Sequence, residues 1–117
     1  LDCPDPTALA RFYSDITGWE LDPEPPAGAD PPHWVQLRAS GGGPTLAFQR
    51  APEHRPPQWP GSEQPQQAHI DFDVPDLDVG EERILAVGAC KHSVQPRPES
   101  FRVFLDPAGH PFCLVRA

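Results

Sequence analysis

The segment Leu1-Asp2-Cys3-Pro4-Asp5 recurs as Phe72-Asp73-Val74-Pro75-Asp76, an offset of 71 residues with Asp, Pro and Asp identical. In a chain of 117 residues, such a repeat leaves room for two copies of one supersecondary unit and little else. Each copy continues in the same way. After Asp5, an N-cap residue, Pro6 stands at the first helical position, Leu9, Phe12, Tyr13 and Ile16 fall on one helical face, and Gly18 ends the pattern. After Asp76 the run LDVGEERILAVG repeats the design more weakly: Leu77, Gly80, Ile84 and Val87 share a face and Gly88 is the stop. Gly80 inside that helix costs about 1 kcal/mol relative to alanine.

Strands follow each helix. Residues 34–38 (WVQLR) and 45–49 (TLAFQ) flank the turn Ser40-Gly41-Gly42-Gly43, and 101–105 (FRVFL) and 111–115 (PFCLV) flank Asp106-Pro107-Ala108-Gly109-His110. Each half therefore reads as strand, helix, then two or three strands. Residues 51–67, APEHRPPQWPGSEQPQQ, contain five prolines and read as a stiff extended linker. The expected organisation is a single domain over 1–117: module 1–50, linker 51–67 and module 68–117.

Composition narrows the classes. The 18 prolines argue against a helical protein, since each removes a backbone donor. A net charge of -8 with no basic cluster argues against nucleic acid as a partner. Cys3, Cys90 and Cys113 are an odd set without CxxC spacing, which supports neither a disulfide framework nor a zinc knuckle and suits a reducing cytoplasm. No run of 18 apolar residues occurs and the mean hydropathy is -0.51, so no membrane association is expected.

The paired βαβββ pattern, the D-P-x-x-L-A-x-F-Y helix start at residues 5–13 and the DPAGHP segment at residues 106–111 resemble the vicinal oxygen chelate superfamily, the glyoxalase, bleomycin-resistance and extradiol dioxygenase group, and within it the small glyoxalase-like domain proteins. The resemblance covers essentially the whole chain. It implies an α+β fold in which two βαβββ modules form a cup-shaped mixed sheet with helices outside, commonly as a homodimer. It also implies a divalent metal in the cup, held by side chains from the first and last strand of each module. The first-strand position of the second module falls on His69, and its counterpart falls before Leu1. The last-strand positions, usually Glu, fall near Gln49 and near Cys113.

Neither of those two residues is a carboxylate, and two missing negative charges weaken any site for magnesium, manganese or iron. Zinc on His69 and Cys113 requires a third ligand. His69 also reads as a strand-start residue bonding a loop carbonyl, Cys113 as a small buried hydrophobe, and Gln49 as a pocket group or an outward-facing strand residue. His54, Arg55 and Trp59 in the linker are candidates to close over a ligand or to anchor the linker. His110 reads as a turn residue. Asp2 and Asp73 read as structural, and Asp71, Asp73, Asp76 and Asp78 lack the glycine and glutamate of a calcium loop. Two functions remain open. One is a small-molecule binding protein resembling the bleomycin-resistance members, without the full metal site. The other is a metal-dependent lyase, isomerase or dioxygenase; conventional glyoxalase I activity is not expected.

Overall fold

Asp5 and Asp76 open the two helices for the same local reason. In the computed structural model, which describes residues 1–22, 24, 28 and 32–117, both take an extended backbone. Each side chain accepts hydrogen bonds from amides of the first turn, Ala8 N in one copy and Asp78 N with Val79 N in the other. Those amides have no carbonyl partner inside the helix, so the aspartates supply what the helix lacks. Helix α1 spans Pro6–Thr17, with Gly18 at φ 74° closing it through its amide to Ser14 O. Helix α2 spans Leu77–Ala86, and Gly88 follows at φ 113°. The chain divides into two compact units, Leu1–His54 and Arg55–Ala117.

In the first unit, strands β1 (Asp2–Cys3), β2 (Glu20–Leu21), β3 (Trp34–Arg38) and β4 (Thr45–Arg50) form a sheet in the order β1-β4-β3-β2. β1 runs parallel to β4 across the α1 crossover, and the other pairs are antiparallel. The expected strands over 34–38 and 45–49 are present. Alternation along them separates two faces. Val35, Leu37 and Phe48 are fully buried on the side of α1, where Tyr13 stacks on Phe48 at 5.7 Å and Phe12 meets Tyr13 edge-on at 5.0 Å. Burying side chains of this size stabilises by about 1.5–3 kcal/mol each, and this layer is the unit's core.

The second unit repeats the plan with β5 (Ile70–Val74), β6 (Cys90–Lys91), β7 (Phe101–Leu105) and β8 (Pro111–Arg116), in the order β5-β8-β7-β6, with β5 parallel to β8. Phe104, Phe112 and Leu114 are buried on the α2 side, and Phe112 touches both Phe72 and Phe104 with its ring. Gly80 has a tertiary reason to be glycine: a Cβ there would stand 3.1 Å from Leu114 Cδ1. Arg102 ties β7 to α2 through Asp78 at 2.9 Å and Glu81 at 3.5 Å, and those carboxylates hold its guanidinium pKa above the ordinary value.

The segment expected as a stiff linker is shared between the units. Residues 51–54 close the first, with Ala51 N bonded to Cys3 O. The part from Arg55 onward packs on the second. Pro56 lies so close to Gly109 that a Cβ at Gly109 would meet Pro56 Cβ at 2.7 Å, and Trp59 meets His92 edge-on at 5.2 Å. Proline-rich composition sets the stiffness of a segment, whereas side-chain contacts decide whether it docks.

Candidate functional site

Each helix covers one face of its own sheet, so chemistry is sought on the other. In the second unit that face carries Asp71 and Asp73 from β5, Cys113 and Val115 from β8, and Phe101 and Val103 from β7, because these residues are cross-strand partners. His69 precedes β5, and its Nε2 lies 3.4 Å from Asp71 Oδ1 with both side chains about half exposed. Asp71 is the direct β8 partner of Cys113. The structure therefore assembles His69, Asp71 and Cys113 as one cluster. Asp71 is the member that sequence reasoning weighed only as part of a calcium loop and set aside. The available signal was its position two residues after His69, on the same strand face.

The cluster's electrostatics disfavour a thiolate. Partial burial, then the charge of Asp71 and a hydrogen bond to it, push the Cys113 thiol from its ordinary 9.0 up to about 11. A thiol that donates to a carboxylate keeps its proton, so Cys113 is a hydrogen-bond donor with a soft apolar surface.

The remaining candidates lie elsewhere. Trp59 sits beside His92, next to β6, whereas His69 precedes β5 at the opposite edge of that sheet. Arg55 is exposed at the start of the second unit, and His54, whose amide donates to Ala51 O, ends the first. His110 donates its amide to Asp106 Oδ1, which also accepts from Ala108 N. This makes a turn built on a buried carboxylate.

Gln49 lies in the first unit on the face away from α1, paired with Asp2 in β1 and Trp34 in β3. Trp34 is 52% exposed and is a second residue that sequence reasoning did not single out. The register also separates two positions expected to correspond. Gln49 pairs with Asp2, while Asp73, the repeat of Asp2, pairs with Val115, so the repeat counterpart of Gln49 is Val115 and Cys113 lies two residues earlier. Hydrogen-bonded pairing sets equivalence across a sheet, and counting from a turn does not. A polar groove of about 480 Å³ lined by Arg11, Ser14, Asp15 and Glu20 contains none of the residues named from the sequence.

The divalent metal implied by the resemblance does not fit these donors. Gln49 offers a neutral amide where a hard divalent cation needs a carboxylate, and Cys113 offers a soft sulfur that such a cation disfavours. Among the described residues, no group of three or more His, Cys, Asp or Glu side chains is placed to hold an ion. No helix among them is long and apolar enough to cross a membrane.

Comparison with known proteins agrees with this architecture. An enzyme of the glyoxalase/bleomycin resistance protein/dioxygenase family from Burkholderia phytofirmans PsJN superposes with a TM-score of 0.67 at 16% identity, over 99% of this chain and 93% of that one. Fosfomycin resistance protein FosX from Mesorhizobium loti gives 0.64 at 18% identity, over 100% and 86%. A bleomycin-binding protein solved in complex with bleomycin gives 0.56 at 17%, over 100% and 93%. At these identities the likeness is one of fold. No curated protein sequence matches the chain. The family model for the glyoxalase-like domain matches residues 1–115, and the chain belongs to that family, within the vicinal oxygen chelate superfamily.

Proposed function

We propose that this chain binds a small organic molecule on the helix-free faces of its sheets, without the full metal site of its superfamily, and acts as a homodimer in the cytoplasm. The observation that carries this reading is the His69, Asp71 and Cys113 cluster. Its thiol is held protonated by partial burial and by Asp71, beside the half-buried Val115, a lining that suits hydrogen bonding and apolar contact with an organic ligand. The bleomycin-binding and fosfomycin-resistance neighbours support small-molecule recognition as the general role.

Thermal-shift screening against aromatic antibiotics and divalent metals, with metal analysis of protein purified without chelator, tests the proposal. A ligand at 100 times its Kd should stabilise the native state by about 2.7 kcal/mol. Stabilisation by an organic ligand, with under about one tenth of an equivalent of metal retained, is the expected result. A stoichiometric ion lost in Cys113→Ala, with stabilisation by metal alone, would replace it with the metal-dependent lyase, isomerase or dioxygenase reading, built on zinc at His69 and Cys113. Methylglyoxal with glutathione should give no turnover.

A further inference from the structure

We infer that the proline-rich segment from Arg55 is a strap released by acid, held on the second unit through Trp59 by the neutral form of His92. Gln58 N donates to Gln64 O at 2.6 Å, so residues 58–64 close into a loop that carries Trp59. That loop meets the body of the unit where the Trp59 ring packs edge-on against His92, with centroids 5.2 Å apart and planes at 65°. Pro56 sits against Gly109 three residues earlier. Pro56, Pro57, Pro60 and Pro65 bring no backbone donor, so side-chain contacts such as that of Trp59 carry much of the attachment.

His92 is held by bonds that fix the state of its ring. Its amide donates to Val103 O, which extends the β6–β7 ladder one residue beyond Lys91. Its carbonyl accepts from Gln95 Nε2, and Gln95 also bonds both backbone groups of Val103. With the backbone pinned in this way, the side chain turns so that Nδ1 accepts from Val94 N at 3.0 Å. A backbone amide only donates, so Nδ1 carries no proton here and the ring is the Nε2–H tautomer. Protonation turns Nδ1 into a donor and sets one N–H against another. The pinned backbone cannot yield, so the imidazole rotates and withdraws the surface on which Trp59 rests. Proton uptake and docking of the strap therefore oppose one another.

The charged groups around this contact leave His92 to act alone. On β6, Cys90 shares the face of His92, whereas Lys91 points to the other face and pairs with Glu81 at 3.0 Å. β7 places Val103 opposite His92 and Leu105 opposite Cys90, both apolar. Residues 93–95 bring no ionisable side chain; Arg97 and Glu99 beyond them are exposed, as are Arg55 and Glu63 of the strap itself. At the Pro56 contact, the buried Asp106 is committed to the amides of Ala108 and His110. Among the described residues, the ion pairs of this unit are His69 with Asp71, Lys91 with Glu81, and Arg102 with Asp78 and Glu81. None of them gives an imidazolium at position 92 a carboxylate to hold it in place.

Acrylamide quenching of Trp59, made the sole tryptophan by Trp19→Phe and Trp34→Phe, tests this between about pH 7.5 and about pH 5, the range in which histidine takes up its proton. The quenching constant should rise about twofold or more at the acid end as the strap opens, and return on neutralisation. His92→Gln, whose amide oxygen accepts from Val94 without titrating, should keep the low constant at both pH values, and His92→Ala should show the high one at both. In the unsubstituted chain, the Val94 amide and Trp59 indole resonances should move together with the His92 ring, which should be the Nε2–H tautomer at the neutral end. A constant that does not change or falls on acidification would overturn the inference, the second outcome meaning that the imidazolium holds the indole more tightly. A rise that persists in His92→Gln would assign it to another group, His110 among them, and would overturn it too. So would a rise accompanied by loss of far-ultraviolet circular dichroism, which is unfolding rather than release, or separate titration of the three resonances.

Discussion

The Cys113 thiol is held protonated first by its partial burial and second by Asp71. Because burial is the larger cause of its raised pKa and Asp71 the next, removing the Asp71 charge should return only part of the shift. In a Cys90→Ser background, where exposed Cys90 cannot compete and Cys3 is fully buried, alkylation of Cys113 at pH 8 should run roughly tenfold to a hundredfold slower than that of a free thiol. Asp71→Asn should speed it several-fold, to about tenfold, and an unchanged rate would remove Asp71 from the account. The sign for stability follows from the folded pKa being raised. The contribution is fully present below the ordinary 9.0 and is lost as pH climbs toward about 11, so denaturation midpoints should fall over that window and less so in Cys113→Ala. Asp106 is a second residue with a defined task, accepting from Ala108 N and His110 N while 4% exposed. Asp106→Ala should cost about 1–3 kcal/mol in urea unfolding, because buried amides lose their acceptor.

Elements were legible wherever local chemistry and periodicity agreed. The α1 helix, with its Asp5 cap, N-terminal proline and Gly18 stop, lies where the spacing puts it, as do the four longer strands after the helices. The two-residue strands β2 and β6 carried no signal, since so short a stretch shows no alternation and exists only through pairing with β3 and β7. Gly80 looked like a weakness of α2, yet its missing Cβ is what admits Leu114. Gly80→Ala should therefore gain less than the about 1 kcal/mol that helix propensity promises, and Gly80→Val should lose about 1–3 kcal/mol through overpacking. A full propensity gain in the alanine variant would show that Leu114 yields freely. Gly109 is a turn analogue: at φ 86° and against Pro56, Gly109→Ala should destabilise by at least about 1 kcal/mol, and Pro56→Gly, which removes the Cβ it would meet, should make the alanine substitution at 109 less costly.

At the scale of the whole molecule, 17 acidic residues face 9 basic ones, so like-charge repulsion opposes compaction and salt should relieve it. Raising NaCl from about 10 to 200 mM should lift the Tm by about 2–5 °C as the screening length shrinks. A fall would show that ion pairs such as that of Arg102 with Asp78 outweigh the net charge. The duplication, the caps, the long strands and the family were all determined by the sequence alone, because helix periodicity, strand alternation and capping depend on neighbours a few residues apart. Which side chains share a row or a cluster was decided only by the tertiary structure. Asp71 beside Cys113, Trp34 beside Gln49, Pro56 against Gly109 and the two-residue displacement between Gln49 and Cys113 all depend on strand register and on docking between distant segments. Those are fixed by hydrogen-bond ladders and packing across the fold, for which no spacing along the chain is a substitute.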